Sequence, residues 1–235
     1  MADLRSALLL PAGFAAFAVL QVRSLEMSAK APSAVTAAAP VDAERRVLPV
    51  ESGSIEDRIA RYEDKRRAEW QRPDDVIRVL DLPRDAKVVD LGSGSGYFAV
   101  RLARAVPEGR VLALDVEPRL VKHVAERARS GRIANLEARR SAPDDPGLAE
   151  GSVDLVLMVN VVPFIPDRPS YLGKLRHALR PGGRLVVINL GKESIPGSPY
   201  PSRGEVVREA AAAGFSLLHE HGFLPMQYFL EFGAR

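Results

Sequence analysis

The chain has 235 residues, enough for one good-sized domain with some extra sequence, and its 46 % hydrophobic content is that of a packed globule. It contains no cysteine, which excludes disulfides, thiolate nucleophiles and cysteine-based metal sites, and the four histidines (His123, His177, His219, His221) lack zinc-ligand spacing, so no metal is expected. The net charge of +3 is a thin excess over 27 % charged residues, without the concentrated basic stripe of a nucleic-acid partner.

The chain opens on an apolar run, Leu8 to Val22, flanked by Arg5 and Arg23. As a helix it spans roughly 22 Å, short of the ~30 Å of a hydrocarbon core. That length suits a signal-peptide core, although Asp3 weakens the basic start and the nearest small-x-small site, Ala29-Lys30-Ala31, lies downstream. The alternative is membrane association through residues 8–22, with Arg23, Lys30, Arg45 and Arg46 holding the next domain on the cytoplasmic face. Residues 1–27 therefore read as an apolar leader or anchor, 28–53 as an Ala/Pro-rich linker and 54–235 as the folded domain. The expected location is the cytoplasmic face of a membrane, or outside the cell if residues 1–31 are a cleaved signal.

Ile55–Trp70 and Asp74–Leu80 read as two helices broken at Pro73, and the charge-rich stretch Arg58–Arg72 as a solvated helix face with i,i+4 pairs. Strands and helices then alternate. Residues 87–92, 110–116, 135–142, 152–160 and 184–190 read as strands; 97–106, 118–130, 167–179 (ended by Pro-Gly-Gly) and 202–214 read as helices. The inner strands are apolar on both faces, as in a parallel sheet covered by helices, so the expected fold class is α/β with a doubly wound sheet. Two closing strands, 215–223 and 226–232, are joined by Leu-Pro alone, too short for a crossover, and must pair as an antiparallel hairpin.

The chemistry begins at VVDLGSGSGYF, residues 88–98. A strand runs into Gly92, Gly94 and Gly96 and straight into a helix, a turn that lets backbone approach a ligand closely. A dinucleotide fingerprint requires glycine where this chain has Tyr97. Asp90 repels a pyrophosphate but favours a ligand carrying an ammonium group, such as S-adenosylmethionine. Asp115, at the end of the next strand, suits two ribose hydroxyls and does not discriminate between these cofactors.

DLGSGSG, with Asp115 at the following strand end, resembles motifs I and II of the class I S-adenosylmethionine-dependent methyltransferases. The resemblance runs from about Glu69 to Phe232 and includes LRHALRPGGRLVVINL (175–190), similar to the family's helix, Pro-Gly-Gly turn and fifth strand. EWQRPDDVI (69–77) and LPMQYFLEF (224–232) resemble a bacterial subgroup of small-molecule type that often carries N-terminal leaders. The resemblance implies seven strands in the order 3-2-1-4-5-7-6 with strand 7 antiparallel. It implies that Asp90, Gly92, Ser93, Gly94 and Gly96 hold the methionine part of the cofactor, that Asp115 takes the ribose and that Val116 flanks the adenine. Ala142 aligns with the loop at the adenine edge; relatives carry an Asp just before it, here Ser141, and Asp144 is the substitute or else a turn residue.

Methyl transfer from a sulfonium needs positioning above all, worth ~7–11 kcal/mol, and a base only when the acceptor must lose a proton. After strand 4 the chain has Asn160-Val161-Val162-Pro163-Phe164, which echoes the Asn-Pro-Pro motif of amino-group methyltransferases without its spacing. The subgroup's Asp and Tyr-His-His are replaced as well, so this loop holds no titratable group and no catalytic residue is assigned. Asn160 is expected to make a polar contact to cofactor or acceptor. Tyr62, Trp70, Tyr97 and Phe164 are the candidates for an acceptor pocket, against ordinary aromatic packing; the histidines read as surface or core residues. The leading expectation is a methyltransferase acting on a small-molecule acceptor. A cofactor-binding module without catalysis is the alternative, followed by an NAD-dependent oxidoreductase.

Overall fold

The computed structural model describes residues 53–192, 194 and 200–235. The apolar leader and all of the linker but Gly53 lie outside the described residues. Among the described residues no helix is long and apolar enough to cross a membrane.

Among the described residues three short helices come first: α1 (Ile55–Tyr62), α2 (Arg67–Gln71) and α3 (Pro73–Leu80). α1 starts at a capping box in which Ser54 Oγ accepts from the Asp57 N–H at 3.1 Å and Asp57 Oδ2 accepts from the Ser54 N–H at 3.0 Å. The helix expected over Ile55–Trp70 is thus two helices. Asp64 Oδ1 accepts from the Arg66 N–H at 2.9 Å, a local side-chain bond that competes with helical continuation. Pro73 does not merely break the segment; it is the first residue of α3, where its missing N–H leaves no bond unmade. The expectation of a solvated basic face also needs correction, because Arg67 turns inward and Glu63 pairs across the fold with Arg127.

Seven strands follow: β1 (Lys87–Leu91), β2 (Arg110–Asp115), β3 (Leu136–Arg140), β4 (Val153–Val159), β5 (Leu179–Leu190), β6 (Phe215–Glu220) and β7 (Gln227–Ala234). They form one sheet in the order 3-2-1-4-5-7-6, parallel through β5, with β7 antiparallel to both β5 and β6. The doubly wound order and the closing hairpin are those expected. β5 starts earlier than expected, because Leu179 already pairs with Val153 before the ladder resumes at Leu155 and Arg184. The Pro-Gly-Gly turn is therefore an excursion inside a strand, with Gly182 at φ +79.

The remaining helices, α4 (Ala99–Ala105), α5 (Pro118–Ser130), α6 (Arg168–Ala178) and α7 (Arg203–Ala212), cover both faces. Alternation along the strands feeds two cores. Val88, Leu155, Ile188 and Phe229 pack with Val76, Leu80, Leu102 and Val124 of α3, α4 and α5. Val89, Val156, Val187 and Leu230 pack with Leu172, Leu175, Val206 and Ala210 of α6 and α7. Each such large side chain contributes about 1.5–3 kcal/mol by leaving water. Register brings the carboxyl ends of the parallel strands to one edge: Leu91 lies opposite Leu114 and Met158, and Val159 opposite Ile188. In an open parallel sheet that edge is where ligands bind.

Candidate functional site

At this edge β1 leads into Gly92, Ser93 and Gly94, and the chain turns through Gly96 into α4. Gly92 has φ +68, and a Cβ there would lie 2.4 Å from Val161 Cγ2, so no other residue fits without displacing the loop after β4. Gly94 has φ +56 and lies under the Tyr62 ring, 3.1 Å from where its own Cβ would be. Helix α1 is thereby laid over the loop. The buried Ser93 donates its N–H to the Leu114 carbonyl at 2.9 Å, which ties the loop to β2.

Two carboxylates flank the loop from inside. Asp90 is 2 % exposed; the Ala99 N–H donates to it, yet its Oδ2 is buried without a hydrogen-bond partner among the described residues. Burial raises its pKa to about 7, the Ala99 hydrogen bond opposes that rise, Asp115 adds to it and Arg67 lowers it. Asp115 accepts from the Gly94 N–H at 2.9 Å through Oδ2 and from the Glu117 N–H at 3.0 Å through Oδ1. Burial raises its pKa too, against these backbone bonds and the charge of Arg58. Each of its oxygens keeps a further lone pair for a hydroxyl donor.

Beyond Asp115, Val116 is half exposed and offers a bare apolar surface. Ser141 is buried, its N–H bonded to the Asp115 carbonyl at 3.0 Å, while Ala142 and Asp144 are exposed on the loop that follows. The Asp144 carbonyl is held by Lys174 Nζ at 2.7 Å.

The aromatic candidates divide. Tyr62 covers Gly94, and Tyr97 is buried with the guanidinium carbons of Arg67 and Arg101 at 4.0 and 4.1 Å from its ring centre. Trp70 is half-buried on α2, and Phe164 is exposed on the short 3-10 helix Val162–Phe164. Asn160 sits at φ +58, the left-handed conformation that Asn tolerates better than most residues. Its Oδ1 accepts from the Leu190 N–H and from Gln227 Nε2, each at 3.0 Å.

Sequence reasoning missed three residues here. Gln71, Gln227 and Arg67 are joined to Asn160 in a polar chain that is buried at the two glutamines and half-buried at its ends, and Arg67 has its pKa lowered to about 10 by burial while remaining cationic. A glutamine at the inner end of an apolar strand (MQYFLEF) was the available signal.

The donor set fits S-adenosylmethionine. The unpartnered Asp90 Oδ2 matches an ammonium group, Asp115 a ribose, and Val116 an apolar ring. The buried carboxyl group of Asp90 directly before the loop does not fit a pyrophosphate. Among the described residues no cluster of side chains is arranged to hold a metal ion.

A family profile described as a methyltransferase domain matches residues 89–185. The trans-aconitate 2-methyltransferase of Variovorax paradoxus is 30 % identical over 127 residues, 54 % of this chain and 46 % of that protein. The release factor glutamine methyltransferase of Mycolicibacterium smegmatis is 38 % identical over 86 residues, 37 % of this chain and 30 % of that protein. The chain thus spans less than half the length of either relative. The crystal structure of a SAM-dependent methyltransferase from Aquifex aeolicus shares the fold with a TM-score of 0.70 at 23 % identity, over 77 % of this chain and 98 % of that one.

Proposed function

We propose that the chain, with its methyltransferase-domain match and fold, works as a class I S-adenosylmethionine-dependent methyltransferase and passes the cofactor's methyl group to a small-molecule acceptor by positioning rather than with a strong general base. The observation that carries this reading is the buried, unpartnered Asp90 Oδ2 beside the glycine loop. A buried carboxylate without a partner is costly unless a cation completes it. Asp90 then holds the ammonium group, the loop amides at Gly92–Gly96 face the methionine part, Asp115 holds the ribose and Val116 flanks the adenine. The bound cofactor supplies an electrophilic methyl group on a positively charged sulfur. Tyr62 and helix α1 cover the loop and keep water from that end of the site. No titratable side chain lies between Asn160 and Ile165, so orientation of the acceptor supplies the rate.

A small acceptor agrees with the name of the Variovorax relative, which acts on trans-aconitate. The experiment is transfer of labelled methyl from S-adenosylmethionine to fractionated cell metabolites, with label expected in a low-molecular-weight fraction. Label confined to protein or nucleic acid contradicts the small-acceptor reading.

A second reading, a cofactor-binding module without catalysis, is favoured by the same lack of a base after β4. Tight cofactor binding with no transfer to any fraction selects it. An NAD-dependent oxidoreductase is disfavoured by Tyr97 at the fingerprint position and by the buried Asp90.

A further inference from the structure

Arg67, Gln71, Gln227 and Asn160 form one chain of hydrogen bonds whose direction is fixed at both ends. At one end the guanidinium of Arg67, which has donors only, gives Gln71 Oε1 two bonds, from Nε at 2.9 Å and Nη2 at 2.6 Å. Gln71 must then present its NH2, and Nε2 donates to Gln227 Oε1 at 3.2 Å. Gln227 in turn donates from Nε2 to Asn160 Oδ1 at 3.0 Å. At the other end the Leu190 backbone N–H, again a donor only, gives to the same oxygen at 3.0 Å. Turning any one amide over sets donor against donor or acceptor against acceptor, so the network itself assigns all three orientations. Gln71 and Gln227 are buried, so a reversed amide there would set its polar groups against each other away from bulk water.

The consequence falls on Asn160. Its oxygen is occupied by protein, while its NH2 donates to no described residue. It stands at the end of β4, where the next residue, Val161, packs onto Gly92 of the cofactor loop. The cation at the far end polarises each amide in the same sense and makes this NH2 a stronger donor. Arg67 hydrogen-bonds neutral oxygens, of Gln71 and Tyr62, while its charge also faces the carboxylates of Glu63 and Asp90. Asn189 Oδ1, a buried acceptor without a partner among the described residues, lies on the opposite face of β5, with Val187 and Leu185 towards α6 and α7.

We infer that the methyl acceptor is a carboxylate, held by the Asn160 amide N–H groups; this rests on the methyltransferase reading. An amine or alcohol arrives with a hydrogen to donate and a proton to lose, and neither Asn160 Oδ1 nor any side chain from Val161 to Ile165 can accept either. A carboxylate is already anionic and only accepts. Its oxygen lone pair forms the new C–O bond as the methyl–sulfur bond breaks. The bonding pair leaves with sulfur as a neutral thioether, a methyl ester is formed, and no proton is released.

The test incubates the full chain with methyl-labelled S-adenosylmethionine and separate pools of simple carboxylic acids, primary amines and phenols, then treats the products with mild alkali. Methyl esters release volatile labelled methanol, whereas N-methyl groups and aryl ethers are stable. Volatile label from the acid pool is the expected result. Alkali-stable label from the amine or phenol pool overturns the carboxylate inference and leaves the methyltransferase reading standing; no label in any pool overturns both. Asn160→Asp keeps the side-chain shape and the tolerated backbone but replaces the donor by an anionic oxygen. It is expected to raise KM for the acid roughly 10- to 100-fold, with the calorimetric cofactor Kd unchanged. An unchanged KM overturns the assignment to Asn160, and Gln227→Leu, which frees the amide to rotate, is expected to raise the same KM without altering cofactor binding.

Discussion

Asp90 decides the chemistry of the site at the scale of one side chain. Its folded pKa of about 7 stands above the unperturbed 3.8, so the stability linked to a neutral Asp90 is complete below about pH 4 and is lost as pH rises through about 7. Asp90→Asn is therefore expected to raise the melting temperature at pH 8 by roughly 5 °C and to change it little at pH 4, as thermal scans at the two pH values will report. The same substitution removes the partner proposed for the ammonium group and is expected to weaken cofactor binding about 10- to 100-fold, measured by calorimetry. Below about pH 7 the cofactor must displace a proton from Asp90, so affinity is expected to fall roughly tenfold per pH unit there and to be flat above it. Asp90 was legible in the sequence because it precedes a glycine loop at fixed spacing. The engagement of Asn160 was not: its partner Gln227 is 67 residues away, and Gln71 is a further 156 from Gln227, separations that carry no local pattern.

The glycine loop and the helix above it work as elements. Gly92→Ala places a Cβ 2.4 Å from Val161 Cγ2 at φ +68 and is expected to destabilise the fold by about 1–3 kcal/mol. Val161→Ala in the same chain is expected to recover the steric part and not the backbone part, and a double-mutant cycle in urea separates the two. Tyr62 lies against Gly94, so Tyr62→Ala is expected to weaken the cofactor several-fold while shifting the urea midpoint little, since α1 is a short surface helix. Strands β1, β2, β4 and the body of β5 were readable as apolar runs punctuated by Gly and Pro; the closing hairpin was readable too, although six residues rather than the expected Leu-Pro separate Glu220 from Gln227. The early start of β5 was not, because it depends on an irregular pairing with β4 that only the assembled sheet defines. Nor was the split between α1 and α2, where the Asp64 side chain outcompetes a helical pattern that the residues otherwise support.

For the whole molecule, a ligand that binds only the folded chain stabilises it by mass action. At a hundredfold excess over Kd, S-adenosylmethionine is expected to add about 2.7 kcal/mol and to raise the melting temperature by roughly 5–10 °C, with NAD giving no shift. The two cores on either side of one sheet hold the carboxyl edges of β1, β2, β4 and β5 in register, and every candidate contact to the cofactor hangs from that edge. The central claim is that the edge is built around a cationic methyl donor. It is tested most directly by isothermal titration of S-adenosylmethionine into the chain at pH 6 in two buffers of different ionisation enthalpy, with Asp90→Asn alongside. Saturable one-to-one binding that releases close to one proton, lost in the Asp90→Asn chain, is the result expected. No binding at millimolar cofactor, or binding with no proton release and no dependence on Asp90, contradicts it.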